Sequence, residues 1–256
     1  MLTREETEGY DWGGNPEKVD FGVLFSCRLE LLKKAYERFA PTEEYHRFLE
    51  KNRDWLEDYG LFMALKKKAS YASWQYWPEP VRMRQKEAIA RSREQLKEEI
   101  HFHWFLQYEF FTQWQKLRAY AHKNGISIIG DVPIYVPLDS TDVWADPQEF
   151  DLDEQGNPVE VAGVPPDAFT ADGQLWGNPL YRWENMEKTG YRWWIRRLKA
   201  ASHMYDVVRL DHFRGFESYW AVPAGNKTAA AGHWKKGPGK SFISAVRKAL
   251  PELRCP

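Results

Sequence analysis

A short aliphatic run that stops at a cluster of charges constrains the fold of this chain more than any other stretch. Val207, Val208 and Leu210 are typical of a buried strand in a parallel sheet, where both faces are covered. Arg209 and Asp211 lie two residues apart, so on a strand their side chains point to the same face. Active sites of βα-barrels form where strands end. The stretch therefore predicts either a catalytic strand end or a structural Arg–Asp pair.

Composition and charge narrow the class of protein. The chain has 256 residues, of which 36 are Lys or Arg and 37 are Asp or Glu, and its net charge of −1 argues against a nucleic-acid partner. The N-terminus lacks the apolar core of a signal peptide, and no apolar run approaches the length of a membrane span. Cys27 and Cys255 are too few for a disulfide framework. We expect a soluble, cytoplasmic protein with neither a nucleic-acid nor a membrane partner.

Aromatic residues are abundant, whereas signals for cofactors are weak. The chain has 13 tryptophans and is 16% aromatic; most such side chains form cores, but their flat faces also suit sugars. The turn at 237–239 (Gly-Pro-Gly) lacks the lysine of a phosphate loop. His101 and His103 do not share a helix face well enough to bind a metal ion. The sequence thus indicates no metal and no other cofactor, and weakly favours carbohydrate.

Periodicity divides the chain into two parts. From about residue 28 to residue 123 the apolar positions recur at helical spacing, and a long helix is predicted from about Arg82, with an interruption near His101. Asn124 and Gly125 form a helix stop. We therefore assign residues 1–125 to a mainly helical subdomain and residues 126–256 to an α/β part.

The second part contains two convincing strands. The first is predicted within residues 126–136, which are typical of a buried strand that emerges into a loop. Pro133 would lie at or beyond the end of this strand, because it cannot donate a hydrogen bond to a sheet. Residues 137–185 are rich in turns and aromatic residues, which predicts a long functional loop. A helix from Tyr191 to Ala201 then leads to the strand at Val207, so the order indicates a parallel crossover. Two strands cannot close a barrel, and the chain is predicted to be a piece of a larger α/β barrel.

Three motifs in this part carry a resemblance to a known family. The first motif comprises residues 130–136 (Gly-Asp-Val-Pro-Ile-Tyr-Val) with 140–144 (Ser-Thr-Asp-Val-Trp), and the second is residues 162–181. The third is residues 209–216 (Arg-Leu-Asp-His-Phe-Arg-Gly-Phe). With these motifs the chain resembles the 4-α-glucanotransferases (amylomaltase, disproportionating enzyme) of the α-amylase clan: the second motif is similar to the family's substrate-covering loop and the third to its nucleophile strand. The strong resemblance spans about 126–250.

The resemblance implies a fold and a reaction. The fold would be an α/β, partial (β/α)8 TIM barrel with a large helical insertion. The chain would transfer α-1,4-glucan segments to a glucose or glucan acceptor with retention of configuration, so its partners would be α-1,4-glucans and maltooligosaccharides. Asp211 would be the nucleophile, and Arg209 would orient it and keep it ionised. A separate carboxylic acid would protonate the leaving oxygen. The implied substrate-binding residues are Asp131, Tyr135, Phe169, Trp176, Asn178 and His212.

Two departures from the family pattern bear on activity. The acid/base glutamate of the family lies in a Glu-Asp-Leu-Gly motif on the strand after the final helix, and this sequence stops where that strand should begin. We therefore expect a fragment that lacks the acid/base region. Ala168 stands where some relatives carry a tyrosine, which puts the acceptor preference in question.

Two other functions stay open at this level. An α-glucan hydrolase of the same clan would share the nucleophile strand, although the covering loop at 162–181 favours sugar acceptors over water by shielding the intermediate. A catalytically inactive glucan-binding remnant is the third hypothesis. It is favoured because the sequence lacks two of the three carboxylates that the resemblance implies, namely the acid/base glutamate and a further carboxylate that would support the transition state.

Overall fold

The computed structural model describes residues 1–15 and 17–253, and these residues form two compact units. Unit 1 comprises residues 1–71 and 90–113, and unit 2 comprises residues 72–89 and 114–256. This division differs from the sequence-based boundary at residue 125 in two segments, 72–89 and 114–125. The second segment contacts the end of a helix of unit 2 (Arg192–Met204): Trp114 Nε1 donates to the carbonyl oxygen of Met204 at 2.9 Å.

Helices dominate the first half of the chain. They are α1 (Arg4–Glu8), α2 (Phe21–Glu37), α3 (Glu43–Lys51), α4 (Arg53–Lys68), α5 (Glu79–Arg82), α6 (Lys86–Gln95) and α7 (Lys97–Lys123). The predicted long helix is thus two helices, α6 and α7, and the break between them lies at Leu96 rather than near His101. Arg84, with a φ of 53°, lies in the left-handed region that ends α5. None of the helices in the described ranges is long and apolar enough to cross a bilayer.

Unit 1 is a helical unit with an aromatic core. Asp20 caps α2 by accepting a hydrogen bond from the Val23 N–H at 3.0 Å. Ala35 of α2 is buried against Phe102 and Phe105 of α7, and Phe39 packs at 4.9 Å from the ring of Phe105. Burying each such aromatic side chain contributes roughly 1.5–3 kcal/mol, so helix packing rather than propensity stabilises this unit.

Unit 2 contains a parallel pair of strands separated by 74 residues of sequence. β1 (Ile129–Val132) pairs with β4 (Val207–Leu210), with Asp131 opposite Arg209. Both predicted strands are present, and β1 ends before Pro133 as expected. The expectation that they are buried is wrong for one face, because β1 begins at Ile129 and this side chain is 68% exposed. Gly130 is required at the centre of β1, since a Cβ there would lie 1.9 Å from the Tyr205 ring.

A second sheet of four antiparallel strands was not predicted. Its order is β3–β2–β5–β6, formed by β2 (Glu160–Val164), β3 (Gln174–Pro179), β5 (Ser218–Pro223) and β6 (His233–Lys236). The prediction of a long loop over residues 137–185 is therefore wrong for β2 and β3. Glycine and proline within these strands weaken their sequence signal, and β2 gains its stability from pairing with β5, which is distant in sequence.

The remaining helices and an aromatic cluster complete unit 2. The helices are α8 (Thr141–Ala145), α9 (Trp183–Lys188), α10 (Arg192–Met204) and α11 (Gly239–Ala249). The rings of Phe216 and Phe242 stack at 4.6 Å with an angle of 2°, and Trp194 packs edge-on at 5.2 Å from Phe216. Because Phe216 belongs to the turn after β4, this cluster fixes the path of the backbone that follows Asp211.

Asp206 ties the start of the parallel pair to α7. Its carboxylate accepts hydrogen bonds from the Ile128 N–H at 2.8 Å, from Arg118 Nε at 3.1 Å and from His122 Nε2 at 2.9 Å. These partners, with the Ile128 N–H contributing most, lower the pKa of Asp206 well below its ordinary range. The carboxylate therefore fixes the register of the two strands at the end opposite to Asp131.

We expect Asp206→Asn to destabilise the fold in a pH-dependent way. The folded-state pKa is below the unfolded value of about 3.9, so the stabilisation is present above about pH 4 and is lost as pH falls further. Urea unfolding should give a lower midpoint for the variant at pH 6, and the difference should shrink below about pH 4. Asp172→Asn, which alters an exposed loop carboxylate, serves as the control. A difference that is constant from pH 6 to pH 2.5 would contradict this assignment.

Candidate active site

The carboxyl ends of β1 and β4 bring the predicted charged residues together. Asp131 and Arg209 are opposite each other in the parallel register and are both exposed on the same face. Asp211 follows β4 directly, and its N–H donates to the carbonyl oxygen of Val132 at 3.0 Å. The three side chains thus occupy one edge of the parallel pair, as the spacing along the sequence predicted.

The partner of Arg209 differs from the sequence-based expectation. Arg209 donates from Nε and Nη2 to the two carboxylate oxygens of Asp131, at 2.9 and 2.5 Å. This two-point geometry fits the planar guanidinium to a carboxylate. The hydrogen bonds lower the pKa of Asp131 below its ordinary value. Arg209 was predicted to orient Asp211. Its side-chain hydrogen bonds go to Asp131, whose carboxylate they help to keep ionised, and the negative charge of Asp211 also acts on Arg209 and contributes, after Asp131, to raising its pKa.

Asp211 is held by its backbone and exposes its side chain. It follows β4, and the next residue, His212, takes a left-handed conformation with a φ of 50°, which few residues other than glycine adopt. The turn continues into buried Phe216 within the aromatic cluster. Because the backbone is fixed on both sides, the Asp211 carboxylate projects from a rigid position.

An aromatic platform lies beside the strand ends. The ring centroids of Trp176 and His212 are 4.9 Å apart in an edge-on arrangement, and Trp176 and Tyr135 are 6.2 Å apart. Trp176 is 37% exposed, whereas Tyr135 is only 7% exposed and stacks on Tyr181 at 5.8 Å. Three of the predicted sugar-binding residues therefore meet here, with Trp176 presenting a surface and Tyr135 supporting it from below.

Burial lowers the pKa of His212 below its ordinary value. The imidazole is therefore neutral at neutral pH, and one of its ring nitrogens is available as a hydrogen-bond donor and the other as an acceptor. A neutral ring next to Asp211 does not add a positive charge that would pair with the carboxylate. The arrangement suits recognition of sugar hydroxyl groups.

The other two predicted residues have different positions. Asn178 Nδ2 donates to the carbonyl oxygen of Val136 at 3.0 Å, which ties β3 to the segment that follows β1. Phe169 is 98% exposed on the loop between β2 and β3, and its N–H donates to Asp167 Oδ1 at 2.8 Å. Asn178 thus positions the platform, and the Phe169 ring projects into solvent.

Sequence reasoning missed two residues that hold the platform. Trp176 Nε1 donates to Gln174 Oε1 at 3.1 Å, and Tyr181 OH donates to the carbonyl oxygen of Ile134 at 2.6 Å. The spacing of Gln174 and Trp176 would have placed them on one face had β3 been predicted as a strand. For Tyr181, no local pattern signals a hydrogen bond across 47 residues of sequence.

The site contains no arrangement suited to a resident metal ion. Across residues 1–15 and 17–253, no group of three or more His, Cys, Asp or Glu side chains could hold one. The chemistry of the described groups is that of an exposed carboxylate, a second carboxylate bound to arginine, and an adjacent aromatic surface. An exposed carboxylate of this kind can act as a nucleophile, and a flat aromatic surface can pack on a sugar ring.

Comparison with known proteins gives the family. Residues 1–256 match the family model described as 4-alpha-glucanotransferase. The chain therefore belongs to the 4-alpha-glucanotransferase family, and the resemblance found in the sequence is confirmed.

Individual relatives are similar over nearly the whole chain. A 4-alpha-glucanotransferase of Streptococcus pneumoniae is 46% identical over 257 residues, covering 99% of this chain and 51% of the relative. A 4-alpha-glucanotransferase of Clostridium butyricum is 43% identical over 256 residues, covering 99% of this chain and 53% of the relative. A solved structure, of amylomaltase from Streptococcus agalactiae in complex with acarbose, gives a TM-score of 0.93 at 38% identity, covering 98% of this chain and 52% of that chain. The mixed α/β fold is shared, and this chain spans about half the length of the relatives it matches.

Removing the guanidinium group should release Asp131. In Arg209→Met the pKa of Asp131 should rise toward its ordinary value, because the hydrogen bonds that lower it are gone. A ¹³C NMR titration of the aspartate carboxyl groups measures this directly. Arg214→Met is the matched control, since that guanidinium lies 4.4 Å from the Trp234 ring instead. An unchanged Asp131 titration in Arg209→Met would show that the pair has no electrostatic effect.

Proposed function

We propose that this chain carries the nucleophile-bearing part of a 4-α-glucanotransferase that transfers α-1,4-glucan segments to a glucose or glucan acceptor. The single observation that carries the proposal is the exposed Asp211 at the end of β4, beside the platform of Trp176 and His212. The substrates would be α-1,4-glucans and maltooligosaccharides. The similar solved amylomaltase is in complex with acarbose, which is consistent with this proposal.

The proposed reaction is a retaining double displacement. A carboxylate oxygen of Asp211 attacks the anomeric carbon as the bond to the leaving-group oxygen breaks, and a general acid protonates that oxygen. The acceptor hydroxyl then attacks the anomeric carbon, its proton passes to the same group now acting as base, and Asp211 is released. Trp176 would bind a glucose ring, and Asn178 and Tyr135 would hold Trp176 in position.

Asp131 is unsuited to the role of general acid. A general acid must carry a proton at neutral pH, yet the Arg209 hydrogen bonds lower the pKa of Asp131. Asp131 would instead shape the floor of the site. We propose that the acid/base carboxylic acid comes from sequence outside these 256 residues, as the family resemblance implies. This chain alone would then transfer only from donors whose leaving group needs no protonation.

The parallel pair would be part of a (β/α)8 barrel. β1 and β4 are adjacent parallel strands with a helix, α10, between them in sequence. On their shared face, Ile129 is 68% exposed. A groove of about 430 Å³ opens beside Val208 and is lined on its other side by Leu250 and Leu253, which follow α11. This groove could accept a further strand, and the face of Ile129 would then be turned to the barrel interior.

The alternatives make different demands on the same site. A hydrolase of the same clan would need water to reach the glycosyl intermediate. The hairpin of β2 and β3 carries Trp176 next to His212, so it covers the region where that water would enter and favours a sugar acceptor. An inactive glucan-binding remnant would keep the platform but show no turnover with any donor.

An activated donor separates these functions. With α-maltosyl fluoride, whose leaving group needs little protonation, we expect the chain to transfer maltosyl groups to added maltose. Asp211→Asn should reduce the rate by at least about 10³-fold, because the covalent step is lost. Trp176→Ala should mainly raise the donor KM, and Asp172→Asn should match the parent chain. Fluoride release without transfer would indicate a hydrolase, and a folded chain with no turnover would indicate a binding remnant.

A further inference from the structure

The Gly-Pro-Gly turn at residues 237–239 has no part in the reaction proposed above, although it packs against the backbone that follows Asp211. That backbone, residues 212–217, is called the Asp211 turn here, and it leads from β4 into β5. The Gly-Pro-Gly turn leads from β6 into α11. Both turns belong to unit 2. Their contacts therefore affect the position of Asp211.

A backbone hydrogen bond joins the two turns. The Gly237 N–H donates to the carbonyl oxygen of Glu217 at 2.7 Å. This bond continues the antiparallel pairing of β5 with β6, in which Ser218 is opposite Lys236. The end of the Asp211 turn is thus held at a fixed distance from Gly237.

The lack of a side chain at Gly237 allows this close approach. A Cβ atom there would lie 2.6 Å from the carbonyl carbon of Phe216 and 2.8 Å from the carbonyl oxygen of Gly215. A Cβ atom in ordinary van der Waals contact lies at least 3.4 Å from its neighbour. Gly239 has a φ of 57°, whereas Gly237 lies outside the left-handed region. Close packing, rather than backbone conformation, therefore requires glycine at position 237.

The Asp211 turn has no free space on its other side. A Cβ atom on Gly215 would lie 2.6 Å from Cδ1 of Ile134, which is itself 2% exposed. The next residue, Phe216, is held by its stack on Phe242 of α11. The turn therefore cannot move away from Gly237 without disturbing packed neighbours, and interiors packed in this way transmit strain.

We propose that Gly237 is a positioning residue for Asp211, because it holds the Asp211 turn against Ile134 and so sets where the carboxylate meets the anomeric carbon. This inference rests on the proposed function. A side chain at position 237 would displace the turn by roughly 1 Å, and a misplacement of that size can cost about 10²-fold in rate. Trp176 is held by Gln174 of its own strand, so sugar binding to its ring should change much less.

The kinetics of Gly237→Ala with α-maltosyl fluoride and maltose test this inference. We expect kcat to fall at least about tenfold. The affinity for maltopentaose, followed by the Trp176 indole N–H signal in NMR spectra, should stay within about threefold of that of the parent chain. Gly239→Asn is the matched control in the same turn. Its surroundings are open and asparagine tolerates the left-handed region, so its kcat should match that of the parent.

A second variant serves if Gly237→Ala does not fold, as judged by urea unfolding. Arg214→Met removes a different support of the Asp211 turn, the contact of the guanidinium group with the Trp234 ring at 4.4 Å. Its kcat should fall at least about threefold, again with little change in the affinity for maltopentaose.

The outcomes separate this inference from the proposed function. An active parent chain and a folded Gly237→Ala with the same kcat would overturn the inference alone. Equal losses of kcat and of affinity would show a general structural role and would also overturn it. A parent chain without turnover would contradict the proposed function. The backbone amide signals of residues 211–216 then decide whether Gly237 positions Asp211: they should shift more in Gly237→Ala than in Gly239→Asn, and equal shifts would overturn the inference.

Discussion

The parallel pairing of β1 with β4 is the interaction on which the candidate active site depends. These strands come from distant parts of the sequence, and each end of the pair is fixed by a carboxylate. Just before β4, the Asp206 carboxylate accepts hydrogen bonds from the Ile128 N–H, Arg118 and His122. Near the carboxyl ends of the strands, the Asp131 carboxylate accepts hydrogen bonds from Arg209. A slip of one residue would turn Arg209 to the opposite face. The register therefore sets the geometry of the site as well as the stability of the sheet.

This register gives the two aspartates different surroundings. Asp131 is bound at two points by a guanidinium group and stays ionised, so it can neither donate a proton nor approach a substrate freely. Asp211 is fixed through its N–H on Val132, while its carboxylate is left exposed beside Trp176 and His212. Strand pairing thus separates a carboxylate that is bound to arginine from an exposed carboxylate that we propose as the nucleophile, although both lie at the same edge. The β2–β3 hairpin adds the aromatic surface, held through Asn178 and Tyr181.

The sequence predicted the parts of this arrangement that depend on local pattern. Both parallel strands and most of the residues at their ends were predicted from three features: the aliphatic run before Asp211, the stop at Pro133 and the ordered family motifs. The hydrogen-bond partner of Arg209 could not be predicted from the sequence, because spacing along one strand does not show which residue lies opposite on the neighbouring strand. Nor did it give the antiparallel sheet, since Gly163, Gly177 and Pro179 weaken the strand signal and the pairing with β5 is long-range. The burial of Tyr135 likewise depends on its stacking with Tyr181. This contact could not be predicted from local sequence, because the two residues are far apart along the chain.

Covalent labelling tests the division of roles between the two aspartates most directly. A 5-fluoro-α-glucosyl fluoride has a good leaving group, and its second fluorine slows breakdown of the glycosyl intermediate by opposing the positive charge of the transition state. Intact-mass spectrometry followed by peptide mapping should find one sugar per chain, attached to Asp211 and absent in Asp211→Asn. A label on Asp131, or an unlabelled chain that still turns over α-maltosyl fluoride, would contradict this account of the site.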